Sequence, residues 1–172
     1  MNKKFLALVI STLAVMMVIP IGISFASKPT SIQAVMLLDA TILNAEPVGM
    51  NVISERELYG SFTSGPFVGD IYREIRVVQH TQTGKANVQN MVYVENAIVT
   101  LDGVVAEGSF VIQVMGMVGN AKWTIISSDL SIGDQTVNLH GQGTATINYF
   151  ELTDPTHYTI GNVLTGQVSL TP

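Results

Sequence analysis

Apolar and polar residues alternate with a period of two along most of this chain. From Thr136 to Phe150, Val137, Leu139, Ala145, Ile147 and Tyr149 fall on one face, while Thr136, Asn138, His140, Gln142, Thr144 and Thr146 fall on the other. Successive side chains of an extended chain point to opposite sides, so this pattern predicts a strand with one buried face. Phe67 to His80 repeats it, with Ile71, Arg73, Ile75 and Val77 opposite Asp70, Tyr72, Glu74, Arg76 and Val78. In Tyr158 to Leu170 the inward set is Tyr158, Ile160, Leu164, Val168 and Leu170. Over Val88 to Leu101, strict alternation groups Met91, Tyr93, Ala97, Val99 and Leu101 against Val92, Val94 and Ile98.

Between Leu101 and Gly143 the chain reads as an antiparallel meander. Val104 to Val118 is extended and apolar, Gly119-Asn120 turns it, and Trp123-Thr124-Ile125-Ile126 returns. A polar link from Ser127 to Gln135 then leads into the strand that begins near Val137. Leu58 to Ser64 reads as a short strand. Ile32 to Leu43 is apolar enough for a helix, but its neighbours favour a strand buried on both faces. Glu46-Pro47-Val48-Gly49, Gly65-Pro66, Thr83-Gly84-Lys85 and Asp154-Pro155 supply turn chemistry between these runs.

The sum is about eight antiparallel strands and no helix. The expected fold is all-β, an eight-stranded antiparallel β-barrel, with a β-sandwich as the alternative. Gly108, Gly116, Gly141, Gly143, Gly161 and Gly166, all inside strands, suit the bends of a small barrel.

The first 26 residues follow different rules. Asn2-Lys3-Lys4 is a positive end, Phe5 to Ile19 is uninterruptedly apolar, and Ser24-Phe25-Ala26 places small residues at −3 and −1 of a cut after Ala26. Residues 1–26 are therefore expected to be a signal peptide, or alternatively an N-terminal membrane anchor, since Phe5 to Phe25 carries no charge. Residues 27–31 read as a linker and 32–172 as a single barrel domain. The domain is expected to be secreted or extracellular, or tethered at the cell surface, with the membrane touched only through an uncleaved leader.

Composition narrows the chemistry. Only 12% of the 172 residues are charged and the net charge is −5, two units more negative without Lys3 and Lys4. An acidic chain without a basic cluster repels phosphate backbones, so nucleic acid is not an expected partner. The chain has no Cys, which removes disulfides, thiolate metal sites and a Cys nucleophile.

The run Gly108-Ser109-Phe110-x-Ile112-x-Val114-x-Gly116, then Trp123-x-Ile125-Ile126, then Leu139-x-Gly141-x-Gly143, resembles the superfamily of allene oxide cyclase-like and dirigent-like β-barrels. The resemblance covers roughly Gly60 to Ile147. It implies a barrel with an internal cavity for an apolar molecule, and a homo-oligomer, a trimer. Two departures stand out. Ser127 to Asp134 replaces the family's Gly-Gly-Thr-Gly turn, and the Cys used in the family's cyclase chemistry is missing. The resemblance thus carries over no catalytic residue.

The candidate ligand-binding residues are Phe110, Met115, Trp123 and Tyr93, apolar or amphipathic side chains on neighbouring central strands. Met36, Met91, Met115 and Met117 are either adaptable pocket lining or ordinary core. The alternative is an isomerase- or cyclase-like enzyme. If the face bearing Asp70, Glu74 and Arg76 looked inward, a carboxylate in a low-dielectric pocket could act as general acid or base. If it looks outward, those charges pair weakly with one another. His80, His140 and His157 show no metal-binding spacing, no Gly-x-Ser-x-Gly elbow is present, and no cofactor is implied. The sequence therefore points to an exported barrel that binds a small apolar ligand or serves as a non-catalytic interaction module. A structural cell-surface protein is a third reading.

Overall fold

The structure, a computed structural model, describes residues 28–172; the expected leader, residues 1–26, lies outside the described residues. Eight antiparallel strands close into a ring in sequence order. They are β1 (Thr30–Val48), β2 (Asn51–Ser64), β3 (Phe67–His80), β4 (Ala86–Leu101), β5 (Val104–Met117), β6 (Asn120–Ile132), β7 (Gln135–Asp154) and β8 (His157–Thr171). β8 pairs back onto β1 from Val168 opposite Thr30 to His157 opposite Thr41, which leaves no free sheet edge. The expected barrel is the observed one.

The core is the inside of the ring. Trp123, Phe67, Phe110, Met36, Leu38, Leu58, Leu101, Ile112, Leu130, Leu164 and Leu170 are among its largest fully buried side chains. Phe62, Phe67 and Phe110 pack as a trio, with tilted rings 5.4 and 5.3 Å apart. This trio marks one end of the interior, where the chain enters β1 and leaves β8.

Glycine makes room for the indole. Gly143 of β7 and Gly166 of β8 face one another in register. A Cβ at Gly143 would collide with the Thr165 carbonyl, and one at Gly166 with the Gln142 carbonyl and, at 2.8 Å, with Trp123 Cζ2. The cleared space lets Trp123 Nε1 donate to the Thr165 carbonyl at 3.1 Å. These glycines allow close backbone approach under a large side chain, a role beyond the bends expected of them.

Four expectations are corrected. β1 starts at Thr30, so the end of the expected linker belongs to the barrel. That strand is buried on one face only, with Met36, Leu38 and Ala40 inside and Leu37, Asp39 and Leu43 exposed. The Ser127–Gln135 link is largely strand, continuing β6 to Ile132 and turning at Gly133-Asp134 into β7. A bulge hides this, and Ser128 Oγ accepts the Leu139 N–H at 2.8 Å where ladder pairing is interrupted. In β4 a second bulge, with Asn96 at φ 49°, shifts the alternation by one residue. Val88, Val92 and Val94 therefore join Ala97, Val99 and Leu101 inside, while Met91 and Tyr93 turn outward.

Candidate functional site

The four residues expected to line a ligand pocket separate. Phe110 and Trp123 point into the ring as fully buried core, and neither lines the hollows described below. Tyr93 and Met115 point out, 39% and 46% exposed. Of the methionines, Met36 is buried core, and Met115 and Met117 are exposed.

Asp70, Glu74 and Arg76 also lie on the outer face, exposed to solvent. Asp70 Oδ2 accepts Asn96 Nδ2 at 2.8 Å and Glu74 Oε1 accepts the Tyr72 hydroxyl at 2.6 Å. That bond pushes the Tyr72 phenol well above its usual range. The condition for the enzyme alternative, a carboxylate inside the barrel, is not met, since among the described residues no Asp or Glu is buried. Tyr59, Tyr72 and Tyr93 are direct cross-strand partners on β2, β3 and β4, with ring centroids 5.0 and 6.1 Å apart. This ladder flanks an outer hollow of about 870 Å³ that takes in Glu57, Glu74, Arg76, Met91, Tyr93 and Met115.

The histidines do not meet. His80 Nδ1 accepts the Thr83 N–H within the β3–β4 turn, His140 pairs with the Thr171 hydroxyl, and His157 Nδ1 lies 2.9 Å from Asp154 Oδ2. Asp154 organises the β7–β8 turn by accepting the backbone N–H groups of Thr156 and His157. These bonds, the Thr156 N–H first and the His157 ring after it, hold its carboxyl at about 2.

The interior itself carries the unexpected chemistry. At the end opposite the phenylalanine trio, a void of about 160 Å³ opens between Ile75, Val77, Val88, Val114, Ala145, Ile147 and Ile160. Four polar residues interrupt these apolar walls: Arg56, Arg73, Tyr158 and Asn162. Arg73 is 4% exposed and is the one charged side chain buried among the described residues. Burial lowers its guanidinium to about 10, since a charge is disfavoured where water cannot solvate it. Its hydrogen-bonding partner is Asn90. With the amide turned so that its oxygen meets the donors, Asn90 Oδ1 lies 2.6 Å from Arg73 Nη2 and 3.0 Å from Nε.

Arg56 reaches in from β2, donating from Nε to Ser54 Oγ at 3.0 Å and from Nη1 to the Tyr158 hydroxyl at 2.9 Å. Its guanidinium carbon also sits 5.4 Å from the Tyr158 ring centre. Asn162 is buried, and its Nδ2 has no hydrogen-bond partner. Phe150, largely exposed, lies 5.2 Å from the Tyr158 ring at the mouth.

The sequence reading had Arg73 on the right face, among Ile71, Ile75 and Val77, without singling it out. The available signal was a charged residue inside an apolar alternation, repeated by Asn90 between Val88 and Val92 and by Asn162 between Ile160 and Leu164. No family model, curated protein or solved structure matches this chain, so the site stands on its own geometry.

Proposed function

We propose that this chain is an exported binding barrel that holds one small, largely apolar molecule inside the ring. The observation that carries the reading is the interior void of about 160 Å³ with aliphatic walls. Well-packed interiors leave few voids larger than a water molecule, and a cavity of about 150 Å³ with apolar walls takes a molecule the size of benzene. Binding without turnover fits the interior best, because its polar groups are arginines, amides and a phenol, and the carboxylates are outside.

Native mass spectrometry compared with the denatured mass tests both parts. The denatured mass should begin near Ser27, which would establish export with removal of the leader, and the native mass should carry an extra component lost on denaturation. Titration with small aromatic probes should show one saturable site. A bare native mass together with no saturable binding would overturn the reading.

The outer hollow supports a second reading, a self-association surface. It is broad, mixes Glu57 and Glu74 with Arg76, and exposes Tyr93 and Met115 beside the half-buried Met91, which suits a second copy of the same chain. Sedimentation at micromolar concentration should show an oligomer that Met115→Glu dissociates. A monomer at all concentrations would remove this reading.

A further inference from the structure

Each of the four polar side chains lining the void has a hydrogen-bond donor with capacity left to give. Arg73 has five N–H donors, and the one partner that holds it is the Asn90 amide. Arg56 donates to a serine and to Tyr158, leaving the Tyr158 hydroxyl its own proton to give. Asn162 Nδ2 is a buried donor with no acceptor. Two guanidiniums thus share one end of a barrel interior without a carboxylate. Among the described residues the one ion pair is Asp154–His157, outside the ring, and residues 1–27 contain no Asp or Glu that could fold in.

A buried charge without a counter-ion is costly, and a buried unpaired donor adds to that cost. An acceptor-only group that enters would offset both costs. Resting on the binding-barrel reading, we propose that the ligand is a small monocarboxylic acid, its carboxylate held by Arg73 and Arg56 and its short apolar body against Val77, Val114, Ala145 and Ile160. A guanidinium presents two parallel N–H donors that match the two oxygens of a carboxylate. Asn162 Nδ2 and the Tyr158 hydroxyl complete the donor set. The apolar walls select an organic acid over inorganic phosphate, which would leave them uncovered, and the volume limits the body to about one six-membered ring.

The test is calorimetric titration of the purified full chain with benzoate, its neutral analogue benzamide, and inorganic phosphate. Benzoate should bind at one site, at least tenfold more tightly than benzamide or phosphate, and should move the Arg73 Nε–H resonance in the ¹⁵N spectrum. Arg73→Gln should cost at least tenfold in benzoate affinity and clearly less in benzamide affinity, because only benzoate brings a charge to pair with the guanidinium. The wild-type resonance shift tests the contact even if that variant fails to fold. Equal binding of benzoate and benzamide would overturn the carboxylate assignment and leave the binding barrel standing. Phosphate binding without benzoate binding would equally overturn it. If no probe binds, both the assignment and the barrel reading fall.

Discussion

The two ends of this barrel interior are built from opposite materials. Around Phe62, Phe67, Phe110 and Trp123 the ring is filled by aromatic side chains, with glycines shaved away beneath the indole. Around Arg56, Arg73 and Asn162 it leaves a void with an open mouth and buries a charge. Closing a sheet of eight strands gives both ends similar room. What differs is whether side chains use it for packing, and the contrast leads to the expectation that the packed end stabilises the fold while the polar end costs stability.

The largest test of that division is Trp123→Ala, which empties the packed end. Loss of about 3–5 kcal/mol is expected in urea unfolding, as for other buried aromatic truncations; a loss under about 1 kcal/mol would mean the aromatic end does not hold the fold. Gly166→Ala attacks the same end by overfilling it, since the new methyl meets the Gln142 carbonyl and Trp123. It should cost about 1–3 kcal/mol, with tryptophan fluorescence reporting the displaced indole.

At the other end the sign should reverse. Arg73→Met removes a buried charge at nearly the same side-chain volume, so ligand-free stability should rise by about 1–2 kcal/mol, after allowing for the Asn90 acceptor left unpaired. Burial holds the folded guanidinium at about 10, below its unfolded value. Well below pH 10 both states are protonated and the wild-type deficit is constant; it diminishes only as pH rises above 10. The gain from Arg73→Met should therefore be the same at pH 6 and pH 8. A loss of stability at both would show that Arg73 is a structural anchor.

The smallest effect belongs to the turn that closes the cavity end. Asp154 has a folded value of about 2 against an ordinary 3.8, so its contribution is complete above 3.8 and is lost as pH falls through 2. Asp154→Asn should lower the urea midpoint slightly at pH 7, and the difference from wild type should disappear by pH 2. A difference that persisted at pH 2 would mean that the turn depends on something other than this charge.

How much of this was readable beforehand depended on which rule each residue obeyed. Alternation placed Ile71, Arg73, Ile75 and Val77 on one face of β3 correctly because β3 runs regularly through that stretch. It misplaced Tyr93 because Asn96 inserts a bulge, and one extra residue exchanges the two faces beyond it. It read Ser127 to Gln135 as a link because polar side chains there are outward-facing strand residues around a bulge, which look like loop composition. The weight given to Phe110 and Trp123 as pocket wall followed from their size, but large side chains fill a small barrel more readily than they line a void in it.

The sequence by itself determined an all-β chain, its strands and most of its turns, because period-two alternation and glycine, proline and asparagine chemistry act within a few residues. Tertiary structure decided which face of each strand looks inward past a bulge, where the ring leaves space, and that Arg56, Arg73, Tyr158 and Asn162 share it. Those residues come from β2, β3 and β8. Their meeting depends on the closure of β8 onto β1 and the stagger accumulated around the ring, a sum over all eight strand registers that no local stretch of sequence contains.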